Sequence, residues 1–147
     1  MKQDQQFQFD ADAIRASGNI LTQQCHGQAK ASGWWLDILS GRQLVGEYAY
    51  MKTPGLLPPR NIGELLCLVH SEVSEAMEGV RKGLMDDKLP HRPMLEVELA
   101  DAVIRIFDMG GGLGLDIAGA IAEKMAFNAQ RADHKIENRL QDGGKKF

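Results

Sequence analysis

The sequence predicts an all-α protein of four to five helices, and two observations lead to this fold class. Apolar residues recur at helical spacing through much of the chain, and Gly and Pro divide it into segments of helical length. The length of 147 residues is typical of one domain, so we expect residues 1–147 to form a single domain. Hydrophobic residues make up 44% of the chain and charged residues 25%, which excludes general disorder.

The first helix is predicted from about Asn19 to Ala31, after a polar N-terminal extension at residues 1–18. Gly33 ends this helix just before the adjacent Trp34 and Trp35. Residues 40–59 are rich in Gly and Pro and are predicted to form an inserted loop, with a weaker indication of a short strand at residues 45–50.

Capping signals and helix-breaking residues predict three further helices: Asn61–Gly83, Met94–Met109 and Asp116–Lys135. Asn61 followed by Glu64 resembles a capping box. The glycine-rich stretch at residues 110–114 is interpreted as the turn between the last two helices, and residues 136–147 as a loose C-terminal tail.

The third predicted helix is apolar over nearly its whole circumference. A helix of this kind is surrounded, either by its own fold or by a partner subunit. We therefore expect oligomerisation to complete the bundle.

Acidic residues occupy unusual positions on the second and third helices. Glu72 falls within the apolar stripe of the second helix and Glu75 at its edge, while Glu98 and Asp101 lie on the narrow polar strip of the third. Each pair has i, i+3 spacing, which projects both carboxylates from one helix face. If the helices are antiparallel, the four carboxylates converge and need cations, for which hard oxygen ligands favour Mg²⁺ or Mn²⁺.

These acidic residues have two other interpretations. Ordinary helix-surface acids remain an alternative, because single pairs at this spacing are common. A di-iron site is excluded, since it requires Glu-x-x-His pairs and no Glu in this sequence has His three residues later.

The fourth predicted helix carries a stripe of hydrogen-bond donors without an acid among them: Lys124, Asn128, Arg131 and Lys135. Such donors are suited to phosphate oxygens. The alternative is a solvated basic face. Beside a metal cluster, a phosphate-bearing ligand explains both features together.

Composition excludes several classes of function. The net charge of −3 argues against a general nucleic-acid binder, and the longest apolar stretches are too short to span a bilayer. The polar N-terminus has no apolar segment typical of a secretory signal. Cys25 and Cys67 have no metal-ligand spacing, which predicts free thiols and a cytoplasmic protein.

The ordered set of motifs resembles the MazG-like all-α nucleoside triphosphate pyrophosphohydrolases. The resemblance lies in Glu72-x-x-Glu75, then Glu98-x-x-Asp101, then Lys124-x-x-x-Asn128-x-x-Arg131. Residues 59–61 (Pro-Arg-Asn), His26, the Gly33-Trp34-Trp35 run and the terminal Gly-Gly-Lys-Lys are also similar to that family. The resemblance covers roughly residues 19 to 147.

This resemblance implies a MazG-like helical bundle whose apolar faces are buried in a homodimer or a homotetramer. It also implies an enzyme that uses Mg²⁺, or Mn²⁺ as a substitute. The implied reaction converts a (deoxy)nucleoside triphosphate to the monophosphate and pyrophosphate, in a role such as nucleotide-pool sanitation. Glu72, Glu75, Glu98 and Asp101 would hold the metal, and Glu72 would also be the candidate general base.

The resemblance also implies ligand contacts. The implied phosphate-binding residues are Lys124, Asn128, Arg131, Lys145 and Lys146, and those for the base or sugar are His26, Trp34 and Trp35. A core-packing role for the aromatic pair remains the alternative.

The chain also departs from the family. Some relatives place an aromatic residue one turn beyond the second acidic pair, where this chain has Arg105, so base preference is not carried over. The competing class of function is a catalytically silent helical oligomer that binds nucleotides or a protein partner.

Overall fold

The computed structural model describes residues 9–44, 54–55 and 60–145. The helices, in chain order, are α1 (Ala11–Ala31), α2 (Ile62–Lys82), α3 (Met94–Leu113), α4 (Ile117–Gln130), a 3₁₀ helix (Ala132–His134) and α5 (Ile136–Arg139). These described ranges contain no β-strand, which confirms the all-α prediction. Contacts divide the chain into two compact units: Ile20–Leu115 forms one, and the described residues before and after it form the other.

Helix α1 begins well before the predicted start at Asn19 and includes much of the polar N-terminal extension. Asp10 explains this earlier start, because its side chain accepts a hydrogen bond from the Ala13 backbone N–H at 2.9 Å and caps the helix. The residues before Asn19 form no apolar stripe, so their pattern did not predict a helix. A capped helix that faces solvent does not need such a stripe. The predicted start was therefore wrong by about two turns.

Helices α2 and α3 form an antiparallel hairpin. Their near ends are joined by backbone hydrogen bonds from Met94 to Leu84 and from Asp86 to Arg92. The packing is tight beside this turn, since a Cβ atom at Gly79 would lie 2.9 Å from that of Met94. At the far end, Leu65 of α2 and Leu113 of α3 belong to one apolar cluster.

The prediction that residues 110–114 form a turn was wrong, because α3 continues through Gly110, Gly111 and Gly112. These glycines allow close approach: a Cβ atom at Gly112 would overlap the Trp35 indole, and one at Gly111 would lie 2.5 Å from the Cβ of His26. The helix ends at Leu113 and is capped by Gly114, whose φ of +68° is the left-handed conformation that favours glycine.

The core of the Ile20–Leu115 unit is centred on Trp35, Leu65 and Leu113. Trp35 is fully buried beneath the glycine-rich end of α3. Its neighbours in the chain form a short hairpin, with backbone hydrogen bonds from Leu44 to Trp35 and from Asp37 to Arg42. This arrangement fixes the segment after α1 against the far end of the α2–α3 hairpin.

Apolar side chains also remain on the outside of the hairpin. Most of those with more than two fifths of their surface exposed form a stripe on each helix: Leu66, Val73, Met77 and Val80 on α2, and Leu95, Leu99 and Val103 on α3. Ile104 of α3 is similarly exposed but lines the cavity described below. Helical spacing places each set along one side of its helix. From the sequence we expected the apolar surface of α3 to be buried. In the single chain, much of it is exposed to solvent.

Helix α4 begins at its predicted cap, where the Asp116 side chain accepts a hydrogen bond from the Gly119 N–H at 2.7 Å. It ends at Gln130, however, and Arg131 has an extended backbone with φ −69° and ψ 125°. The predicted continuation to Lys135 was therefore wrong. The tail predicted to be loose contains α5.

Three further predictions concern membrane spans, the two cysteines, and the segments at residues 40–59 and 146. No helix among them has the length and apolar character needed to cross a membrane. Cys25 and Cys67 are free thiols, as predicted. The strand predicted at residues 45–50, most of the loop at residues 40–59, and Lys146 lie outside the described residues.

Candidate metal centre

Three of the four predicted metal ligands converge between α2 and α3. One carboxylate oxygen each from Glu72, Glu98 and Asp101 lies within 4.8 Å of the others. Glu72 and Glu98 are buried, and Asp101 is half-buried. Oxygen ligands of one divalent ion are separated by roughly 3–5 Å, so the spacing and the hard donor set fit a single hydrated ion such as Mg²⁺ or Mn²⁺.

The antiparallel hairpin accounts for this convergence. Glu98 and Asp101 are one turn apart on α3, and the chain direction of α2 brings Glu72 opposite them. Because the turn and Gly79 hold the helices close together, short carboxylate side chains reach across the interface. The predicted antiparallel arrangement is confirmed, and the cluster follows from it.

Glu75 lies outside this group of three. Its side chain is exposed, although its negative charge is close enough to contribute to the raised pKa of Glu98. The structure therefore brings together Glu72, Glu98 and Asp101, with Glu75 at the edge of the cluster.

The electrostatics of the cluster favour a cation. Burial, a hydrogen bond with Glu72, and the negative charge of Glu75 raise the pKa of Glu98 from its ordinary value of 4.5 to about 7. Burial and the charge of Glu72 raise the pKa of Asp101 as well. Since each carboxylate disfavours ionisation of the next, a bound cation would relieve a repulsion that is already present.

Among the described residues, Arg105 is the base that forms an ion pair with the cluster. Its Nε donates a hydrogen bond of 2.6 Å to Oε1 of Glu72. Its charge also opposes the rise in the pKa of Asp101, one turn earlier on α3. From the sequence alone, Arg105 stood out only as a departure from the MazG-like family, and no role was predicted for it.

Asp86 is a second residue that the sequence analysis missed. It lies in the α2–α3 turn, it is buried, and its charge contributes to the raised pKa of Asp101. Its Oδ1 accepts backbone hydrogen bonds from Lys88 at 2.9 Å and Leu89 at 2.5 Å. An Asp in a turn is a common sequence feature, so its position beside the cluster had no distinctive signal.

A cavity of about 610 Å³ adjoins the cluster through Asp101 and Arg105, and this volume lies in the range of small-molecule sites. Trp34 and Arg60 line it as well, with apolar residues of α2 and α3. Arg60 is held in place by donating from Nη1 to the Trp34 carbonyl at 3.3 Å. The cavity thus combines an acidic end with an aromatic face and two guanidinium groups.

The two tryptophans occupy different environments. Trp34 is 69% exposed and lines the cavity, whereas Trp35 has no exposed surface. The Trp35 Nε1 donates to Oδ1 of Asp108 at 2.7 Å, and Nδ1 of His26 lies 2.9 Å from the same oxygen. This network gives Trp35 the core-packing role that the sequence left open, and it holds His26 edge-on to the indole.

The predicted phosphate-binding residues belong to the other compact unit. Lys124 lies 5.0 Å from the centroid of the Phe127 ring, and Oδ1 of Asn128 is buried without a hydrogen-bond partner among the described residues. Arg131 and Lys135 lie beyond the end of α4, so the predicted helical stripe is shorter than expected. Arg131 forms two hydrogen bonds with Asp133.

Lys145, the other predicted phosphate contact among the described residues, is exposed near the end of the chain, where its carbonyl accepts a hydrogen bond from Arg139. The phosphate-binding roles of these residues stay predictions.

Comparisons of the chain with protein-family models, with curated proteins and with solved structures found no match.

Proposed function

We propose that this protein is a Mg²⁺-dependent nucleoside triphosphate pyrophosphohydrolase, which cleaves a (deoxy)nucleoside triphosphate to the monophosphate and pyrophosphate. The observation that carries the proposal is the group of three carboxylates, Glu72, Glu98 and Asp101, at the end of a cavity of nucleotide size. The motif resemblance supplies the reaction class, and the geometry supports it by joining a cation site to a ligand site through Asp101.

The donor set fits the proposed ion. When bound, Mg²⁺ would offset the charge of the triphosphate and lower the pKa of an attacking water. Water would attack the α-phosphorus, the bond from that phosphorus to the α,β-bridging oxygen would break, and pyrophosphate would leave. Glu72 is the candidate general base, because its carboxylate is buried at the centre of the cluster.

The lining of the cavity supports a nucleotide as the ligand. Trp34 presents an exposed indole, on which a base or a sugar can pack. Arg60 and Arg105 offer planar guanidinium groups, which suit phosphate oxygens or the edge of a base. We keep Trp34 as the proposed aromatic contact and assign Trp35 to the core.

Product analysis by ³¹P NMR tests the reaction. The protein is incubated with Mg²⁺ and each of the eight common NTPs and dNTPs, beside Glu98→Gln and the matched control Glu96→Gln. Glu96 lies on the same helix, outside the cluster, where it pairs with Arg92. We expect monophosphate and pyrophosphate from the native protein and the control, and a loss of at least about 100-fold in Glu98→Gln.

Two outcomes would overturn the proposal. Diphosphate and phosphate would indicate cleavage at a different phosphorus. If no nucleotide is hydrolysed but calorimetry detects nucleotide binding, the protein is the catalytically silent binder that forms the competing hypothesis.

We further propose that the protein is a homodimer or a homotetramer in which the exposed stripes of α2 and α3 are covered. Val73 and Leu99 represent these stripes, and each leaves nearly half of its surface exposed in the single chain. Uncovered apolar surface of this kind favours association. Sedimentation equilibrium should show an oligomer for the native chain and a smaller species for Leu99→Glu, and a native monomer would refute this part of the proposal.

A further inference from the structure

Arg105 stands between the acidic cluster and the cavity. It lies one helical turn after Asp101 on α3, and its Nε donates to the Glu72 carboxylate at 2.6 Å. The side chain of Glu72 is 7% exposed, whereas that of Arg105 is 42% exposed. One end of this ion pair is therefore fixed in the interior, while the other borders the cavity.

The ion pair occupies a carboxylate that the metal also needs. Glu72 is both the partner of Arg105 and one of the three residues whose oxygens converge. A divalent ion placed among those oxygens would lie close to the guanidinium, and two cations at short range repel each other. Either the ion binds weakly with Arg105 in place, or Arg105 moves away when the ion binds.

The side chain of Arg105 is suited to such a movement. It is long and half-exposed, and the hydrogen bond to Glu72 is the one that it makes with the described residues. Its two Nη groups are therefore free of protein acceptors within this part of the chain. A guanidinium that leaves Glu72 has the cavity beside it, because Arg105 is part of the cavity lining.

We propose that Arg105 is an exchangeable counterion, which neutralises Glu72 in the metal-free protein and turns to phosphate oxygens of the ligand when the divalent ion binds. The inference rests on the proposed function, and it assigns Arg105 the positioning of the triphosphate. One positive charge thus serves two partners in turn: a carboxylate before the cation binds, and a phosphate afterwards.

This exchange couples the two ligands thermodynamically. Arg105 would leave Glu72 when Mg²⁺ is bound and would then be available to phosphate. Bound Mg²⁺ should therefore increase the affinity for phosphate, and phosphate should increase the affinity for Mg²⁺ by the same factor. A guanidinium that merely remained on Glu72 would weaken cation binding and contribute nothing to phosphate binding. These two behaviours can be distinguished without measuring catalysis.

NMR of the arginine side chain tests the exchange in the native protein. The ¹H–¹⁵N signal of the Arg105 Nε, assigned by its disappearance in Arg105→Lys, is followed while Mg²⁺ is added. We expect a hydrogen-bonded, slowly exchanging signal without Mg²⁺ and a solvent-like signal after saturation. A signal that keeps its position and its slow exchange at saturating Mg²⁺ overturns the inference, and so does a protein that binds no Mg²⁺.

Calorimetry supplies the second test, with Mg²⁺ and inorganic tripolyphosphate as probes. Arg105→Gln should bind Mg²⁺ about tenfold more tightly and, with Mg²⁺ present, tripolyphosphate about tenfold more weakly. The matched control is Arg92→Gln, which removes an exposed arginine from its pair with Glu96. Tighter Mg²⁺ binding with unchanged tripolyphosphate affinity would indicate simple charge repulsion and overturn the exchange.

These outcomes are separate from those of the proposed function. If nucleotides are hydrolysed but the Nε signal of Arg105 does not respond to Mg²⁺, the function stands and the exchange fails. If the signal responds but no nucleotide is hydrolysed, the exchange stands and the enzymatic proposal fails.

Discussion

Replacing Glu98 with glutamine is expected to stabilise the metal-free protein at pH 8, although it removes a proposed metal ligand. Glu98 is buried with Glu72 and Asp101 beside it, and its pKa is raised to about 7. Ionising such a group costs more free energy in the folded protein than in the unfolded chain. Glutamine keeps the shape of the side chain and carries no charge.

The magnitude follows from the pKa of Glu98. Its value rises from 4.5 to about 7, and each unit corresponds to 1.36 kcal/mol, so the difference is about 3 kcal/mol. The stabilising contribution of protonated Glu98 is complete below pH 4.5. It declines as the pH rises towards 7 and is absent above that value. Glu98→Gln should therefore gain up to about 3 kcal/mol over the native protein as the pH rises from 4.5 to 8.

Urea denaturation in EDTA, repeated from pH 4.5 to 8, measures this difference. With a typical slope of about 2 kcal/mol per M, the midpoint of Glu98→Gln should exceed that of the native protein by about 1.5 M at pH 8. Glu96→Gln should follow the native protein throughout, because Glu96 lies at the surface. If native and Glu98→Gln midpoints keep a constant separation over this pH range, the electrostatic reasoning is wrong.

Further predictions concern the cation, the packing and a helix cap. Mg²⁺ at 100 times its Kd should stabilise the native protein by about 2.7 kcal/mol at pH 8. The stabilisation should be much smaller at pH 5, because protonated carboxylates bind the ion poorly, and thermal melting measures both values. Gly112→Ala should destabilise by about 3 kcal/mol or more, because its Cβ would overlap Trp35. Gly27→Ala, in open space on α1, should instead stabilise by about 0.5–1 kcal/mol in urea denaturation, and a loss at both glycines would contradict the packing argument. Asn61→Ala should cost about 1 kcal/mol, since its side chain accepts from the Glu64 N–H, whereas Asn61→Asp should keep the stability.

Local signals were sufficient to predict the α2–α3 hairpin. Each of these signals depends on a few neighbouring residues: the cap at Asn61, the break before Met94 and the apolar stripes. The structure has both helices close to the predicted bounds. The acidic residues at i, i+3 spacing then predicted the cluster, because an antiparallel hairpin permits few other positions for their side chains.

The glycines of α3 show where local signals fail. In a sequence, three consecutive glycines indicate a turn, because glycine lowers helix stability. Here Gly111 and Gly112 lie inside a helix because Trp35 and His26, far away in the chain, require the space. A contact between distant segments has no local signature, so the end of α3 was predicted about one turn too early.

The candidate site shows the same limit. Charge and spacing identified Glu72, Glu98 and Asp101, but the pairing of Arg105 with Glu72 depends on which side chains face each other across the hairpin. Asp86 reaches the cluster through the path of the turn, which no spacing rule describes. Residue types could be predicted, and their partners could not.

The adjacent tryptophans give the molecule two optical reporters with opposite exposure. Trp35 is fully buried, and its Nε1 donates a hydrogen bond to Asp108. Its fluorescence emission should therefore be blue-shifted and should resist quenching by iodide. Trp34 faces the cavity and should be red-shifted and readily quenched. Filling the cavity would therefore change one indole while leaving the other as an internal reference, and unfolding would change both. Occupancy and folding can thus be read separately from a single emission spectrum of the unlabelled protein.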